Sequence, residues 1–243
     1  MGRATRANSS DGISDERYSG ILRHISGDTS RMRSREIAYE AVKNAILSGV
    51  FEPRERLIEE RLGEALELSR TPIREALAIL EHEGLIEAVP YKGLRVRPVT
   101  LNEFLGMYEA LGMIESVIAR QAVTRVTGAD VVRLASILEV ADRCIPDDVP
   151  GHLRACRQFQ QALGECAGAP FLTRMLVGIE ERSDLYLIHS QQQLSAENMR
   201  ASVEDRRAIL NAVQSGDPER ASQAAEKHGE AIRVRWREHY PNE

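Results

Sequence analysis

Arg70 and Arg74 stand four residues apart in the run Ser69-Arg70-Thr71-Pro72-Ile73-Arg74-Glu75-Ala76-Leu77. Residues at that spacing share one face of a helix, so both guanidiniums project together. The planar guanidinium fork suits bidentate contact with a guanine edge or a phosphate. Ser69 and Thr71 flank the pair with hydroxyls, and Lys92 and Gly93 add a second basic point on a tight turn. Such a set can recognise a nucleic acid but makes and breaks no bonds. The bland alternative is a solvated basic face on a small helical domain.

The surrounding pattern explains how these side chains would be held. Ile58, Leu62 and Leu66 fall on one helical face, and Ile73, Ala76, Leu77 and Leu80 on another. Glu67-Leu68-Ser69-Arg70 leaves room only for a turn between them. Thr71 is expected to cap the second helix, with Pro72 at its first position, where no N–H is needed. Gly84 ends it. Leu85–Val89 and Leu94–Arg97 then read as strands joined by Pro90-Tyr91-Lys92-Gly93. Helix, turn, helix and hairpin in that order predict a winged helix-turn-helix, whose second helix is shaped for a DNA major groove.

The run from Gly49 to Leu57, then Ser69-Arg70-Thr71-Pro72-Ile73-Arg74-Glu75-Ala76-Leu77, Glu83-Gly84-Leu85 and Gly93, closely resembles the GntR family of bacterial regulators. The resemblance implies a dimer that binds a palindromic double-stranded DNA operator, usually as a repressor. Ser69, Arg70, Thr71, Arg74, Lys92 and Gly93 would be the DNA-binding residues.

Composition narrows the rest. The chain has 243 residues, 42% of them hydrophobic and only 5% aromatic, with a single tryptophan, Trp236. That suits a helical protein rich in Ala, Leu, Glu and Arg better than a β-sandwich. The net charge of −5 means that DNA binding must come from a local positive face. Cys144, Cys156 and Cys166 are odd in number and lack a framework spacing, so free thiols in a reducing, cytoplasmic setting are expected. No apolar run reaches membrane-spanning length, so no membrane partner is expected.

Three segments follow. Residues 1–34 are polar and rich in Arg, Ser, Gly and Asp, and read as a disordered tail. Ile21, Leu22 and Ile25 could make one amphipathic turn, and Arg3, Arg6, Arg31 and Arg33 could touch DNA phosphates. Residues 35–98 form the winged domain, with a first helix over 35–48. Residues 101–239 are helical throughout, with helices expected at 101–126, 129–144, 150–167, 170–190, 195–215 and 217–239. Thr100 followed by Glu103 looks like a capping box at the start. The fold class is mainly α: a winged helix-turn-helix followed by an antiparallel helical bundle, an architecture that places small-molecule sites among its inward-facing side chains.

The second half resembles, more loosely, the FadR-type branch with its helical effector-binding FCD domain, through Phe104 to Ala122, Phe159 with Ala162-Leu163, Ala167-Gly168-Ala169-Pro170, Arg207 to Ala212 and Ala221 to His228. Many relatives hold a divalent metal with one Asp and three His. The matching positions here are Cys156, Gln160, Arg206 and His228, of which only His228 is a good ligand. The resemblance therefore implies a lost metal site and no cofactor. An arginine inside a bundle needs an anionic partner. Glu109, Glu204 or the effector itself is the candidate. Effector binding is expected at Cys156, Gln160, Arg206 and His228, with an organic acid or acyl derivative as ligand. Leu111 stands where relatives often carry Arg ahead of Glu115, which favours a bulkier, more apolar acid.

An enzyme is not expected, because the sequence holds no nucleophile–base pairing, phosphate-cradling glycine loop or complete metal constellation. His152, His189 and His228 are scattered and read as surface or pocket lining. The remaining alternative is a constitutive DNA-binding regulator that has lost its effector.

Overall fold

The computed structural model describes residues 18, 21, 32–189 and 194–239. It divides into two compact units, residues 1–98 and 99–243.

In the first unit, α1 (Ser34–Leu47) buries Ala38, Ala41, Val42, Ala45 and Ile46. A strand too short for any periodicity signal, β1 (Arg56–Leu57), precedes α2 (Glu59–Leu66). Glu67 takes the left-handed conformation (φ 54°) and closes α2. The next helix, α3 (Arg70–His82), turns Ile73, Ala76, Leu77 and Leu80 into the core. Its N-cap is Ser69, not Thr71. A proline is tolerated throughout the first turn, where N–H groups have no intrahelical partner, so the helix starts before Pro72 rather than at it. Gly84 has φ 75° and releases the chain into β2 (Ile86–Val89). The wing returns along β3 (Gly93–Val96). The sheet order is β1-β3-β2 and both pairings are antiparallel. Glu87 lies opposite Arg95 across the wing, and the two side chains pair at 2.6 Å.

Two residues of the segment read as a disordered tail are buried here. Ile21 is fully covered, and Tyr18 packs edge-on against Phe51 at 5.2 Å. The Tyr18 hydroxyl accepts a bond from the Ile58 N–H at 3.1 Å and donates to the Arg56 carbonyl at 3.3 Å. A phenol that bonds backbone on both sides of β1 is an anchor that polar composition hides. Leu22, Ile25, Arg3, Arg6 and Arg31 lie outside the described residues.

The second unit is a bundle of α4 (Leu101–Ala122), α5 (Gly128–Arg143), α6 (Val149–Ala167), α7 (Pro170–His189), α8 (Ala196–Gln214) and α9 (Pro218–His239). Thr100 caps α4 by accepting from the Glu103 N–H at 3.2 Å. Thr127, Asp148 and Ser195 cap α5, α6 and α8 in the same way. Helices α4 and α9 cross closely: a Cβ on Gly229 would lie 2.9 Å from the Tyr108 carbonyl oxygen and 3.0 Å from Gly112 Cα. Only glycine permits that approach. Among the described residues, no helix is long and apolar enough to cross a membrane.

Candidate functional sites

The first candidate site is the exposed face of α3. Ser69, Arg70, Thr71 and Arg74 are all exposed. The apolar residues of α3 face the core, so the helix period places these polar residues outward. Arg70 Nη2 donates to Glu60 Oε1 at 2.7 Å and Arg74 Nε to Glu59 Oε2 at 2.7 Å. Both acceptors belong to the first turn of α2, a partnership that the arginine spacing alone does not reveal. The arginine side chains remain 65% and 64% exposed. Exposed pairs of this kind contribute about 0–1 kcal/mol, so a stronger anion can take the guanidiniums over. Lys92 and Gly93 lie exposed at the wing tip, Gly93 with φ 79°. Beside them Tyr91 is fully exposed and adopts φ 63°, an uncommon conformation for an aromatic residue. The wing turn therefore presents an aromatic ring as well as a cation.

The second candidate site lies inside the bundle. Three helices supply polar groups at four-residue spacing, hence on one face: His152, Cys156 and Gln160 on α6, Glu180 and Asp184 on α7, Ser202 and Arg206 on α8. All but Ser202, which is half-buried, are buried. Glu115 from α4 and His228 from α9 complete the set, both buried.

One chain of hydrogen bonds links these groups. Gln160 Nε2 donates to Glu115 Oε1. His228 Nδ1–H donates to Glu115 Oε2 at 2.8 Å. Arg206 Nη1 donates to His228 Nε2 at 3.1 Å and to Ser202 Oγ at 2.5 Å. Arg206 Nη2 reaches Glu180 Oε1 at 3.4 Å. A guanidinium only donates, so His228 must turn a lone pair to it and carry its proton on Nδ1, a tautomer fixed by its partners. Cys156 touches this chain at Ser202, and its thiol also lies 3.6 Å from His152 Nε2, while His152 Nδ1–H bonds the Ala141 carbonyl at 3.1 Å.

Burial and charge pull these groups in opposite directions. Burial alone would raise the Glu115 carboxyl, but His228, Arg206 and Gln160 hold it below the usual range. Burial dominates at Glu180 and lifts it to about 7 despite Arg206. Burial also raises the Cys156 thiol, lowers His152 and pushes Tyr108 up to about 12. Burial disfavours the charge on Arg206, yet the surrounding acidic groups more than offset it and its proton is held more tightly than usual.

The anionic partners of Arg206 are thus Glu180 directly and Glu115 through His228. Glu109 pairs instead with Arg233 at 3.5 Å, and Glu204 with Arg207 at 2.6 Å. Helical spacing could not choose among these carboxylates, because the choice depends on which helices are neighbours. Glu180 sits on α7, which carries no other element of the expected site.

The four expected effector residues do not all face one space. A cavity lies beside Arg206 and Cys156, bordered also by Glu180, Asp184, Arg157 and Trp236. Gln160 and His228 are not in its lining. The empty space is about 450 Å³ counting its mouth, but only about 30 Å³ is wide enough for the centre of a water molecule. Arg157 and Asp184, both in its lining, form an ion pair. The side chain of His189 lies outside the described residues.

The divalent metal implied by the resemblance does not fit these residues. The lone pair of His228 Nε2 that a metal would take is directed at Arg206 Nη1, a fixed cation. Among the described residues, no three or more His, Cys, Asp or Glu side chains are grouped to hold a metal ion. Neither do the groups form a nucleophile and base: the Cys156 thiol is raised and its His152 partner is lowered, both by burial, which leaves them neutral.

Comparison with known proteins identifies both domains. Residues 34–96 match the family model described as bacterial regulatory proteins, gntR family. Residues 106–231, just over half of the chain, match the FCD domain. The HTH-type transcriptional repressor NanR of Klebsiella aerogenes is 26% identical, with 86% of this chain and 87% of that protein covered. The HTH-type transcriptional repressor GlaR of Escherichia coli K12 is 27% identical over 78% of this chain and 90% of its own length. Among solved structures, E. coli McbR/YncC superposes with a TM-score of 0.75 at 21% identity over 86% of this chain and 99% of that one, a likeness of fold. The helix-turn-helix unit with its exposed arginines and the helical bundle with its buried polar centre thus match the two domains of one lineage: the chain belongs to the GntR family of bacterial regulators, in the branch with an FCD domain, and is a DNA-binding transcription regulator, not an enzyme.

Proposed function

We propose that this regulator acts as a repressor: a homodimer binds a palindromic operator, and a small anionic metabolite taken up beside Arg206 changes its affinity for DNA. Repression is the role of the relatives NanR and GlaR, both HTH-type transcriptional repressors. In each half-site, Arg70 and Arg74 exchange Glu60 and Glu59 for phosphate or guanine, with Ser69, Thr71, Lys92 and Gly93 at the flanks. The observation that carries the sensing half is that Arg206 lines the cavity while its buried Nε has no hydrogen-bond partner. An unsatisfied guanidinium nitrogen there is a place for an acid.

One observation favours a second reading. The narrow interior of the cavity, about 30 Å³, suits a constitutive regulator whose effector site has closed. The two readings part in one experiment. An operator is selected from random duplexes by the full-length protein, and its affinity is measured with and without a panel of organic acids and acyl thioesters. The first reading predicts a palindromic selection and at least one ligand that shifts operator affinity by about fivefold or more. A selection without two-fold symmetry contradicts the dimeric operator, and constant affinity across the panel favours the constitutive regulator.

A further inference from the structure

Arg206 and Glu180 touch at a single long contact, Nη2 to Oε1 at 3.4 Å. Charge-assisted bonds between such groups are normally near 2.8 Å. Each residue also leaves one polar atom unserved. Arg206 Nε and Glu180 Oε2 are both buried and have no hydrogen-bond partner. Both residues line the same cavity. An unserved buried donor and an unserved buried acceptor each cost free energy that a suitable ligand recovers.

The two atoms ask for opposite things. An acid alone serves Arg206 but leaves Glu180 without its cation and beside a second carboxylate. An amine alone serves Glu180 and repels Arg206. A molecule carrying both groups on neighbouring atoms serves both, and no buried charge loses its counter-charge when it enters. We infer that the effector is a zwitterion, an α-amino acid with an apolar side chain, whose carboxylate bonds Arg206 and whose ammonium bonds Glu180. This rests on the acid-sensing reading above and narrows it.

Two further features agree. Arg157 and Asp184 repeat the cation–anion alternation one turn further along α7, so the lining, with Arg235 as a third cation against the two acids, has too little excess positive charge for a dianion. The remaining lining includes Leu153, Leu187, Leu194, Ile232 and Trp236, which suit an aliphatic or sulfur-containing side chain. The ligand enters by separating Arg206 from Glu180, and their contact is the loosest in the network. Arg206 keeps Ser202 and His228 throughout.

Trp236 is the only tryptophan and borders the cavity, so its fluorescence reports occupancy in the full-length protein. The probes are L-leucine, L-isoleucine, L-valine and L-methionine, each with its des-amino acid and its decarboxylated amine. At least one amino acid is expected to saturate the signal, with both of its truncated analogues weaker by about tenfold or more. Glu180→Gln should weaken the amino acid by a similar factor while leaving the des-amino acid unchanged or tighter. A des-amino acid that binds as well as its parent overturns the zwitterion and leaves acid sensing standing. Binding of amines but not acids overturns both. Silence from all three series overturns the zwitterion, while the organic-acid panel still decides acid sensing.

Discussion

Arg74 in the DNA-binding domain and Arg206 in the FCD domain each pair with a glutamate, and the pairs have little else in common. The Arg74 side chain is 64% exposed, and its bond to Glu59 competes with water on every side. Arg206 is 3% exposed and holds a serine, a histidine and a glutamate at once. The first pair contributes little to stability and is easily exchanged, as the proposed DNA-reading role of Arg74 requires. The second is the cation around which buried acids are organised, so losing it strands them. The same guanidinium is therefore a replaceable contact in one domain and a structural centre in the other, and solvent makes the difference.

The comparison breaks most directly at Arg206. Arg206→Met keeps the bulk of the side chain but leaves Glu115, His228 and Glu180 without their cation. We expect a loss of about 3–5 kcal/mol in urea unfolding of the FCD domain. A loss below about 1 kcal/mol would mean that the buried network is not organised by this residue.

The next effect is a pH dependence centred on Glu180. Its carboxyl is raised from 4.5 to about 7 in the folded protein. A raised folded value means that the folded state holds the proton more tightly. The contribution is therefore fully present below about 4.5 and is lost as pH rises through about 7. The groups facing Glu180 are Arg157 and Cys156 from α6, Tyr108 and Glu115 from α4, Arg206 from α8 and Asp184 from its own helix. Glu115 is shifted the other way, so its contribution is lost only as pH falls below the usual carboxylate range, outside this window. Buried His152, held lower than usual, works in the opposite direction over the acid part of this window, so the Glu180 contribution is read as the difference in slope: between about pH 5 and pH 8 the wild type should lose roughly 1–3 kcal/mol relative to Glu180→Gln. Equal slopes in thermal unfolding of the two proteins would refute the assignment.

The smallest effect is predicted at the exposed pair. Glu59→Gln removes the carboxylate that Arg74 meets at 2.7 Å and should change stability by less than about 1 kcal/mol. Binding to non-specific DNA should tighten slightly, because one acidic competitor for the guanidinium is gone. A large stability change would erase the contrast with Arg206.

The two domains also differed in how far their residues could be read in advance. In the winged domain, chemistry and position lie in one short stretch: Ser69 to Leu77 carries the turn, the core face and the exposed arginines together. Local rules suffice there, apart from the cap at Ser69 and the two-residue strand β1, which is defined by its partner β3 rather than by its own pattern. In the bundle, helix limits were legible from caps and turns, with the end of α4 at Ala122 rather than residue 126 as the largest error. The site was only half legible. Arg206 and His228 do meet, but Glu115, Glu180 and His152 complete the polar centre, and they come from separate helices whose neighbours no local periodicity specifies. Tyr18 was missed because its partners, Arg56 and Ile58, lie far along the chain from a segment whose composition is polar.

The most direct test of the account is the affinity of Arg74→Ala for an operator selected by the wild-type protein, measured by fluorescence anisotropy alongside the thermal stability of both. The account predicts a loss of about 1–3 kcal/mol in operator binding with stability unchanged within about 0.5 kcal/mol. Unchanged operator affinity, or a loss of binding that merely follows unfolding, would contradict the claim that this exposed helix face reads DNA.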